Sequence, residues 1–342
     1  MSDQTLGKKG KKGKQDIFFS FFMFTADVKP SDSEYQKIFI KHVRELKAFG
    51  YNGFELPIAP NEGAKSYSQE IDEYSKLRYF MNQEGLEDVQ IATNVGTNRT
   101  FDPSSPDSEQ RLKALDYLKS RVDITAALGG EIMMGPLVIP YGVFPLTDVN
   151  NPIWSDQLQD YLEARYSNAQ PILNQLGEYA EQKNVKLAIE PITHWETPGI
   201  NKLSRLIKFL QGVSSKQVGV VIDSSHEILD GDGPEIFAEQ VKQLADEGRL
   251  HYVQVSPPDR GAIHTSWIPW QSFLEPIIAV YDGPIAVEIF NAIPAFLNSL
   301  RLTRRKFWIP GEDTVNQYPS AYEIAKKAID TTQKELSQII CN

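Results

Sequence analysis

Short apolar runs rich in valine, isoleucine and phenylalanine recur along the chain, and longer segments of mixed polarity separate them. Runs of this length bounded by turn residues are typical of strands buried on both faces. They lie at residues 17–25, 53–58, 89–95, 131–139, 185–191, 218–223, 251–256 and 284–290. The pattern therefore predicts eight buried strands.

The segments between these runs show the spacing of amphipathic helices. Residues 35–49 place apolar side chains at near-helical intervals and end at Gly50, as a helix with a glycine C-cap does. Residues 156–183 repeat the pattern, with Pro171 predicting a kink or a restart. Strands that alternate with helices favour a parallel sheet, and eight such units favour a closed (β/α)₈ TIM barrel. A doubly wound open sheet is the alternative, but the chain has no GxGxxG or GxxxxGK[ST] loop.

The length of the chain and the composition of its N-terminal segment suggest which residues form the barrel. The 342 residues are compatible with one large α/β barrel, which we expect to span residues 16–342 with a helical extension at its C-terminal end. Residues 1–15 include GKKGKKGK and are expected to form a flexible basic arm. The apolar run after this arm resembles a signal peptide, but it is short and lacks a clear cleavage site, so we interpret it as the first strand.

The composition of the chain argues against several classes of binding partner. A net charge of −10 and a pI of about 5.1 oppose the basic surface that nucleic-acid binding requires. No window approaches the run of roughly 18 apolar residues that a membrane helix needs, so no membrane partner is expected. The single cysteine, Cys341, excludes an intrachain disulfide and a cysteine-based zinc site, and it favours a reducing, cytoplasmic location.

Four oxygen-bearing side chains fall near the ends of four consecutive predicted strands. They are Glu190, Asp223, Gln254 and Glu288. In a barrel, these strand ends meet at the C-terminal mouth, where active sites form. Three carboxylates that converge there would repel one another, and a divalent cation would relieve the repulsion. The alternative is that each acid caps a helix or pairs with a basic neighbour.

The spacing around these residues resembles that of the xylose-isomerase-like barrels, and is most similar to the ketose 3-epimerases of the tagatose/psicose type. The resemblance covers roughly residues 15–310 and rests on Glu190-x5-Glu196, Asp223-x2-His226, Gln254-x5-Arg260 and Glu288 within PIAVEIF. It implies one divalent ion, usually Mn²⁺ with Mg²⁺ or Co²⁺ as alternatives, bound by Glu190, Asp223, Gln254 and Glu288. It also implies that Glu190 and Glu288 act as the acid/base pair and that Glu196, His226 and Arg260 bind the sugar.

This chain departs from the family at one position, because Gln254 stands where the family has histidine. The implied ligand set then consists of oxygen atoms alone, which favours Mn²⁺ or Mg²⁺ over Zn²⁺. The segment NAIPAF after the last predicted strand has no glycine for a phosphate site, so a free sugar or a glycoside is favoured as the substrate.

The expected reaction is removal of a proton beside a carbonyl to give an enediolate. Return of the proton on the opposite face makes an epimerase, and return to the neighbouring carbon makes an isomerase. Loss of a β-substituent instead makes a lyase or dehydratase acting on a keto-sugar, keto-inositol or keto-glycoside, which is the alternative enzyme. A non-catalytic sugar-binding barrel is a further alternative, against which the presence of both Glu190 and Glu288 argues. The sequence leaves open whether the chain forms a homo-oligomer.

Overall fold

The computed structural model describes residues 15–60, 63, 65–145, 155–291, 307–311, 314 and 317–341. The predicted basic arm, residues 1–15, lies outside these residues apart from Gln15. The strands are β1 (Ile17–Ser20), β2 (Gly53–Pro57), β3 (Gln90–Asn94), β4 (Ile132–Gly135), β5 (Lys186–Ile189), β6 (Val218–Asp223), β7 (Leu250–Val255) and β8 (Ile285–Val287). The helices are α1 (Ser33–Phe49), α2 (Tyr67–Gln83), α3 (Ser108–Ala127), α4 (Ser155–Gln182), α5 (Leu203–Leu210), α6 (Ser224–Asp230), α7 (Pro234–Asp246), α8 (Trp270–Ile278) and α9 (Ala321–Cys341).

The strands form one closed parallel sheet. Each strand pairs with the next along the chain, and β1 pairs with β8, with Ile17 opposite Ile285. This closure confirms the predicted (β/α)₈ TIM barrel and rules out the open doubly wound sheet. Among the described helices, none is both long and apolar enough to cross a membrane.

Seven of the eight strands end earlier than the apolar runs suggested, whereas β6 ends at Asp223 as predicted. The run at 131–139 gives a strand that stops at Gly135, which has φ 133° and precedes a proline without an N–H group to donate. Glu190 and Glu288 are each the first residue after a strand. Their N–H groups still donate to carbonyls of β4 and β7 at 2.9 Å, so both residues continue the parallel pairing. This holds the two glutamate backbones rigidly at the mouth.

The barrel interior is filled by side chains. Small and bulky residues combine there in a cluster of Phe18, Ala92, Ile132, Met134, Ala188, Val221, Tyr252 and Ala286. The rings of Phe18 and Tyr252 meet edge to face with centroids 6.2 Å apart. Because this layer closes the barrel below the strand ends, the space for ligands lies above it, at the C-terminal mouth.

The helices cover the outside of the sheet. Helix α1 begins after Asp32, whose carboxylate accepts hydrogen bonds from two backbone N–H groups, and it ends at Gly50 in the left-handed conformation (φ 109°). Helix α4 continues through Pro171, so the alternative of a restart at that proline is wrong. Helix α9 packs against α1, where Nδ1 of the buried His42 lies 2.8 Å from the Tyr322 hydroxyl.

Candidate active site

Seven strands deliver polar side chains to the C-terminal mouth. These are Ser20 of β1, Glu55 of β2, Asn94 of β3, Glu190 after β5, Asp223 of β6, Gln254 of β7 and Glu288 after β8. The four carboxyl-bearing residues among them are at most 7% exposed. Buried carboxylates require partners that compensate their charge. The mouth is therefore built for electrostatic interaction with its own residues or with a ligand.

A cavity of about 260 Å³ opens at this mouth. Small-molecule sites typically enclose roughly 300–1,000 Å³, so the cavity suits one small ligand. Five of the residues predicted as site residues line it, namely Glu190, Glu196, His226, Arg260 and Glu288. Asp223 and Gln254 are 1% and 0% exposed and are not among the described residues of the cavity wall. They lie behind it, in contact with Arg260 and Glu288 respectively.

Apart from Asn94, whose place at a strand end allowed it to face the mouth, the rest of the wall was not predicted from the sequence. It has polar residues Asn94, Thr97, Asn98 and Tyr141, and apolar residues that include Phe22, Ile58, Pro60 and Phe290. Most of them lie on loops, whose positions depend on contacts between distant segments, such as the hydrogen bond from Tyr141 N–H to the Thr97 carbonyl (3.1 Å). Among the described residues of the wall, Arg260 is the only arginine or lysine.

Arg260 joins the acidic residues of the mouth. One guanidinium nitrogen, Nη1, donates to Asp223 Oδ2 at 2.5 Å and to Ser256 Oγ at 2.9 Å, and lies 3.4 Å from Glu288 Oε2. The guanidinium carbon lies 4.8 Å from the ring centroid of Phe290. Burial opposes its charge, but Asp223 and Glu288 outweigh burial and raise the pKa of Arg260. Its φ of 57° is in the left-handed region, a conformation that costs about 1–3 kcal/mol in a non-glycine residue.

His226 lies between two of the predicted ligands. Asp223 accepts a hydrogen bond from Ser225 N–H and so starts helix α6, which carries His226 one residue later. The His226 Nε2 atom lies 3.1 Å from Glu190 Oε1 and 3.5 Å from Asp223 Oδ2. Burial and the nearby Arg260 oppose protonation, but the two carboxylates prevail and raise the pKa of His226.

Glu196 is positioned by its own loop after β5. Its Oε2 accepts hydrogen bonds from the Thr193 hydroxyl at 2.8 Å and from the Thr193 N–H at 3.3 Å. The same oxygen lies 3.9 Å from His226 Nδ1. Glu196 is thus directed into the cavity beside His226, from the same connection after β5 that begins with Glu190.

The side-chain amide of Gln254 connects two carboxylates. Its Nε2 donates to Glu55 Oε2 at 2.9 Å and to Glu288 Oε1 at 3.1 Å. Glu55 also accepts hydrogen bonds on Oε1 from Ser20 Oγ (3.0 Å) and Asn94 Nδ2 (3.1 Å). Within the described structure, the buried Oε1 of Gln254 has no hydrogen-bond partner.

Burial makes these carboxyl groups harder to ionise. It raises the pKa of Glu55 to about 7 against opposing hydrogen bonds, the largest of them from Asn94. It also raises the pKa of Glu190, although the hydrogen bond and charge of His226 act in the opposite direction. The pKa of Glu288 is raised well above its ordinary value by burial and by the charge of Glu55. Carboxyl groups that hold or exchange a proton near neutral pH are suited to acid–base chemistry.

The chemistry of the donor set fits a divalent cation. Acceptor atoms of Glu190, Asp223 and His226 all lie within 4.8 Å of one another, and the three residues are buried. The Gln254 Oε1 atom is a buried acceptor that a cation would satisfy. The acids at the mouth outnumber Arg260 and His226, so added positive charge would be stabilising. The structure thus adds His226 to the predicted donors and shows the amide nitrogen of Gln254, rather than its oxygen, facing Glu288.

A closed barrel with an acidic mouth defines the class of protein: the chain belongs to the xylose isomerase-like TIM barrel family, whose sequence profile matches residues 43–306. This confirms the resemblance found in the motifs, since the relatives with assigned names include ketose 3-epimerases. One of them, the L-ribulose 3-epimerase of Methylomonas sp. (strain DH-1), is 24% identical over 223 residues, which are 64% of this chain and 72% of that protein.

Solved structures agree with this assignment. A crystal structure from Anabaena variabilis ATCC 29413, whose suggested class is sugar phosphate isomerase/epimerase, is 69% identical with a TM-score of 0.92, covering 96% of this chain and 100% of that one. The D-allulose 3-epimerase from Methylomonas sp. in complex with D-allulose is 20% identical with a TM-score of 0.70, covering 94% and 97%. At that identity the likeness shows the shared fold.

Proposed function

We propose that this protein is a metal-dependent sugar isomerase or epimerase that removes a proton beside a carbonyl and passes through an enediolate. The observation that carries the proposal is that Glu190 and Glu288, which follow strands β5 and β8 at different places on the ring, line one small cavity. Two carboxyl groups that face one substrate from different strands can remove a proton on one side and return one on the other.

The raised pKa values of both residues support these roles. Burial favours the protonated form of each group, and ionised neighbours such as Asp223 add to this effect. A carboxyl group whose pKa lies closer to neutral is a stronger base when ionised and remains available as an acid when protonated. The direction of the shifts is therefore the one that exchange of a carbon-bound proton requires.

The side chains of Arg260 and His226 complete the proposed site. Arg260 contacts one oxygen of Glu288, and His226 contacts one oxygen of Glu190, so each proposed acid–base group has a fixed orientation. Both side chains line the cavity, where they would bind hydroxyl or carbonyl oxygens of a sugar. Glu196, fixed by Thr193, would accept a hydrogen bond from a further hydroxyl.

A divalent cation, with Mn²⁺ expected, would be bound by Glu190, Asp223 and Glu288, together with His226 or Gln254 Oε1. When bound it supplies a Lewis acid that stabilises charge developing on the substrate oxygens. The names of the relatives support a ketose as substrate. An unphosphorylated one is favoured because Arg260, the only arginine or lysine in the described wall, is already paired with Asp223.

The test is a panel of ketoses in D₂O with the purified protein, with and without Mn²⁺, followed by NMR and mass spectrometry. We expect deuterium at the carbon beside the carbonyl and formation of an epimer or an aldose, both lost in Glu190→Gln and Glu288→Gln. Glu227→Gln is the matched control, because burial raises the pKa of Glu227 to about 8 and the residue lines a separate groove.

The products distinguish the alternatives. An unsaturated or dehydrated product would replace the proposal with the lyase reaction. Absence of both bound metal and deuterium exchange over the whole panel would refute an enzymatic role of this kind and favour a sugar-binding barrel.

A further inference from the structure

Glu55 is the most enclosed carboxylate of the mouth, and none of the roles proposed above uses it. It lies on β2, is 0% exposed, and is not among the described residues that line the cavity. Each of its oxygens is engaged: Oε1 accepts from Ser20 and Asn94, and Oε2 accepts from Gln254. A buried carboxylate with three donors arranged around it is a fixed acceptor.

The hydrogen bond to Gln254 crosses the barrel from β2 to β7 and determines how the Gln254 amide is turned. An amide NH₂ has two hydrogens, and here one points to Glu55 Oε2 (2.9 Å) and the other to Glu288 Oε1 (3.1 Å). Rotating the amide by half a turn would place its oxygen against two carboxylate oxygens. This reversed orientation is electrostatically unfavourable when neither of the facing oxygens carries a proton, so the two carboxylates in their ionised forms together select the observed one.

This orientation of the Gln254 amide also helps to hold the Glu288 carboxylate in place. Gln254 bonds Oε1 of Glu288, while Arg260 lies against Oε2, so both oxygens of the proposed acid–base group are held. The remaining atom of the amide, Oε1 of Gln254, is buried and has no partner in the described structure. It is therefore the atom that stays available to a cation.

We propose that Glu55 is a positioning residue that orients the Gln254 amide, so that the NH₂ group holds Glu288 and the oxygen remains a ligand for the cation. The roles of Glu288 and of the cation rest on the proposed function, whereas the orientation of Gln254 does not. A glutamine can make these three contacts at once because it carries two donors and one acceptor. A neutral histidine that used one ring nitrogen as a ligand would have a single N–H for the two carboxylates.

The test replaces Glu55 by glutamine, which keeps the size of the side chain and removes one acceptor. The single remaining oxygen of Glu55→Gln cannot accept from Ser20 and Asn94 on one side and from Gln254 on the other. We expect the Gln254 amide to turn. Ser20→Ala is the matched control, because it removes a donor from the same carboxylate without touching the bond to Gln254.

Two readouts apply to the full-length protein. The side-chain NH₂ signals of ¹⁵N-glutamine-labelled protein, assigned to Gln254 by their loss in Gln254→Glu, report its hydrogen bonds directly. Titration with Mn²⁺ followed by EPR reports the cation affinity, which we expect to fall by about 10- to 100-fold in E55Q, as is usual when a group that orients a ligand is lost. Both readouts should be unchanged in S20A.

The outcomes separate this inference from the proposed function. Unchanged Gln254 signals in E55Q, or an unchanged Mn²⁺ affinity in a protein that binds Mn²⁺, would overturn the role of Glu55. If the wild-type protein binds no Mn²⁺ and exchanges no carbon-bound proton, the proposed function fails, while the NMR signals still decide whether Glu55 orients Gln254. Should E55Q fail to fold, Glu55→Asp withdraws the carboxylate by one methylene, and unchanged Gln254 signals there would refute the inference.

Discussion

Replacing Arg260 by methionine should destabilise the protein strongly, because it leaves buried carboxylates without their counter-charge. Asp223 and Glu288 are each 1% exposed, and Arg260 lies 2.5 Å and 3.4 Å from them. Removing one partner of a buried ion pair costs about 3–5 kcal/mol. Methionine has a similar unbranched stem and the same restriction at φ 57°, so the backbone contribution is nearly unchanged.

The loss should depend on pH in a defined direction. Arg260 lowers a pKa of Glu288 that burial and Glu55 raise, so in R260M this pKa rises further. The folded variant then keeps a proton that the unfolded chain releases near the ordinary value of 4.5. A group with a raised folded pKa stabilises most fully below its unfolded pKa and loses that contribution as pH rises. The deficit of R260M should therefore be larger at pH 8 than at pH 5.5.

Urea unfolding of the metal-free protein at these two pH values measures the effect. The control is Arg205→Met, which breaks a pair with Glu163 whose side chains are 31% and 47% exposed. Exposed pairs contribute about 0–1 kcal/mol, so this variant should stay near wild type at both pH values. A loss in R260M no greater than in R205M, or one that shrinks as pH rises, would refute the ion-pair reasoning.

Three further predictions concern other parts of the structure. Gly135→Ala should lose about 2–3 kcal/mol in urea unfolding, because its Cβ would lie 2.3 Å from the Val95 carbonyl oxygen; a loss that is barely measurable would contradict this. Burial lowers the pKa of His42 from its ordinary value of 6.5 to about 4, so the folded state loses stability as the pH falls from 6.5 towards 4. From pH 7 to pH 5 this group should cost about 2 kcal/mol, and His42→Phe should remove that part of the acid sensitivity; equal losses in both proteins would show that His42 is not responsible. Gln254→His should shift the metal preference toward Zn²⁺ in a competition titration, since it adds a nitrogen donor. An unchanged preference would mean that residue 254 does not face the cation.

The barrel was predictable because its signal is local. Each buried strand is a short apolar run, and each strand end that carries an acid appears in the sequence as an apolar run closed by a polar residue, as in LAIE at Glu190. The pattern of apolar residues does not show where the backbone leaves the strand conformation or how long a loop is. The predicted strand bounds were therefore less accurate than the predicted number of strands. The predicted strand at 131–139 ends early at Gly135, because the φ angle of this last strand residue is positive and the chain leaves the strand conformation there.

The contacts between side chains inside the site were harder to predict from the sequence. Glu55 and Gln254 are 199 residues apart, and only closure of the barrel brings their side chains to 2.9 Å. Arg260 reaches Asp223 from a loop residue in the left-handed conformation, for which an arginine gives no sequence signal. The predicted positions of the acids were thus obtained from strand order, whereas their partners depended on three-dimensional packing.

The charges at the mouth connect the cost of folding to the proposed chemistry. Glu55, Glu190 and Glu288 are buried close to few positively charged side chains. Burial and their mutual repulsion raise their pKa values, and the protons that they then hold reduce the repulsion. Protons held in this way destabilise the fold as pH rises, yet they are also what a general acid must carry near neutral pH. A cation that binds here must displace some of these protons, because ligands coordinate in the deprotonated form. The same burial therefore makes the mouth costly to fold and, if the proposed function holds, suits it to exchange carbon-bound protons and to bind a cation.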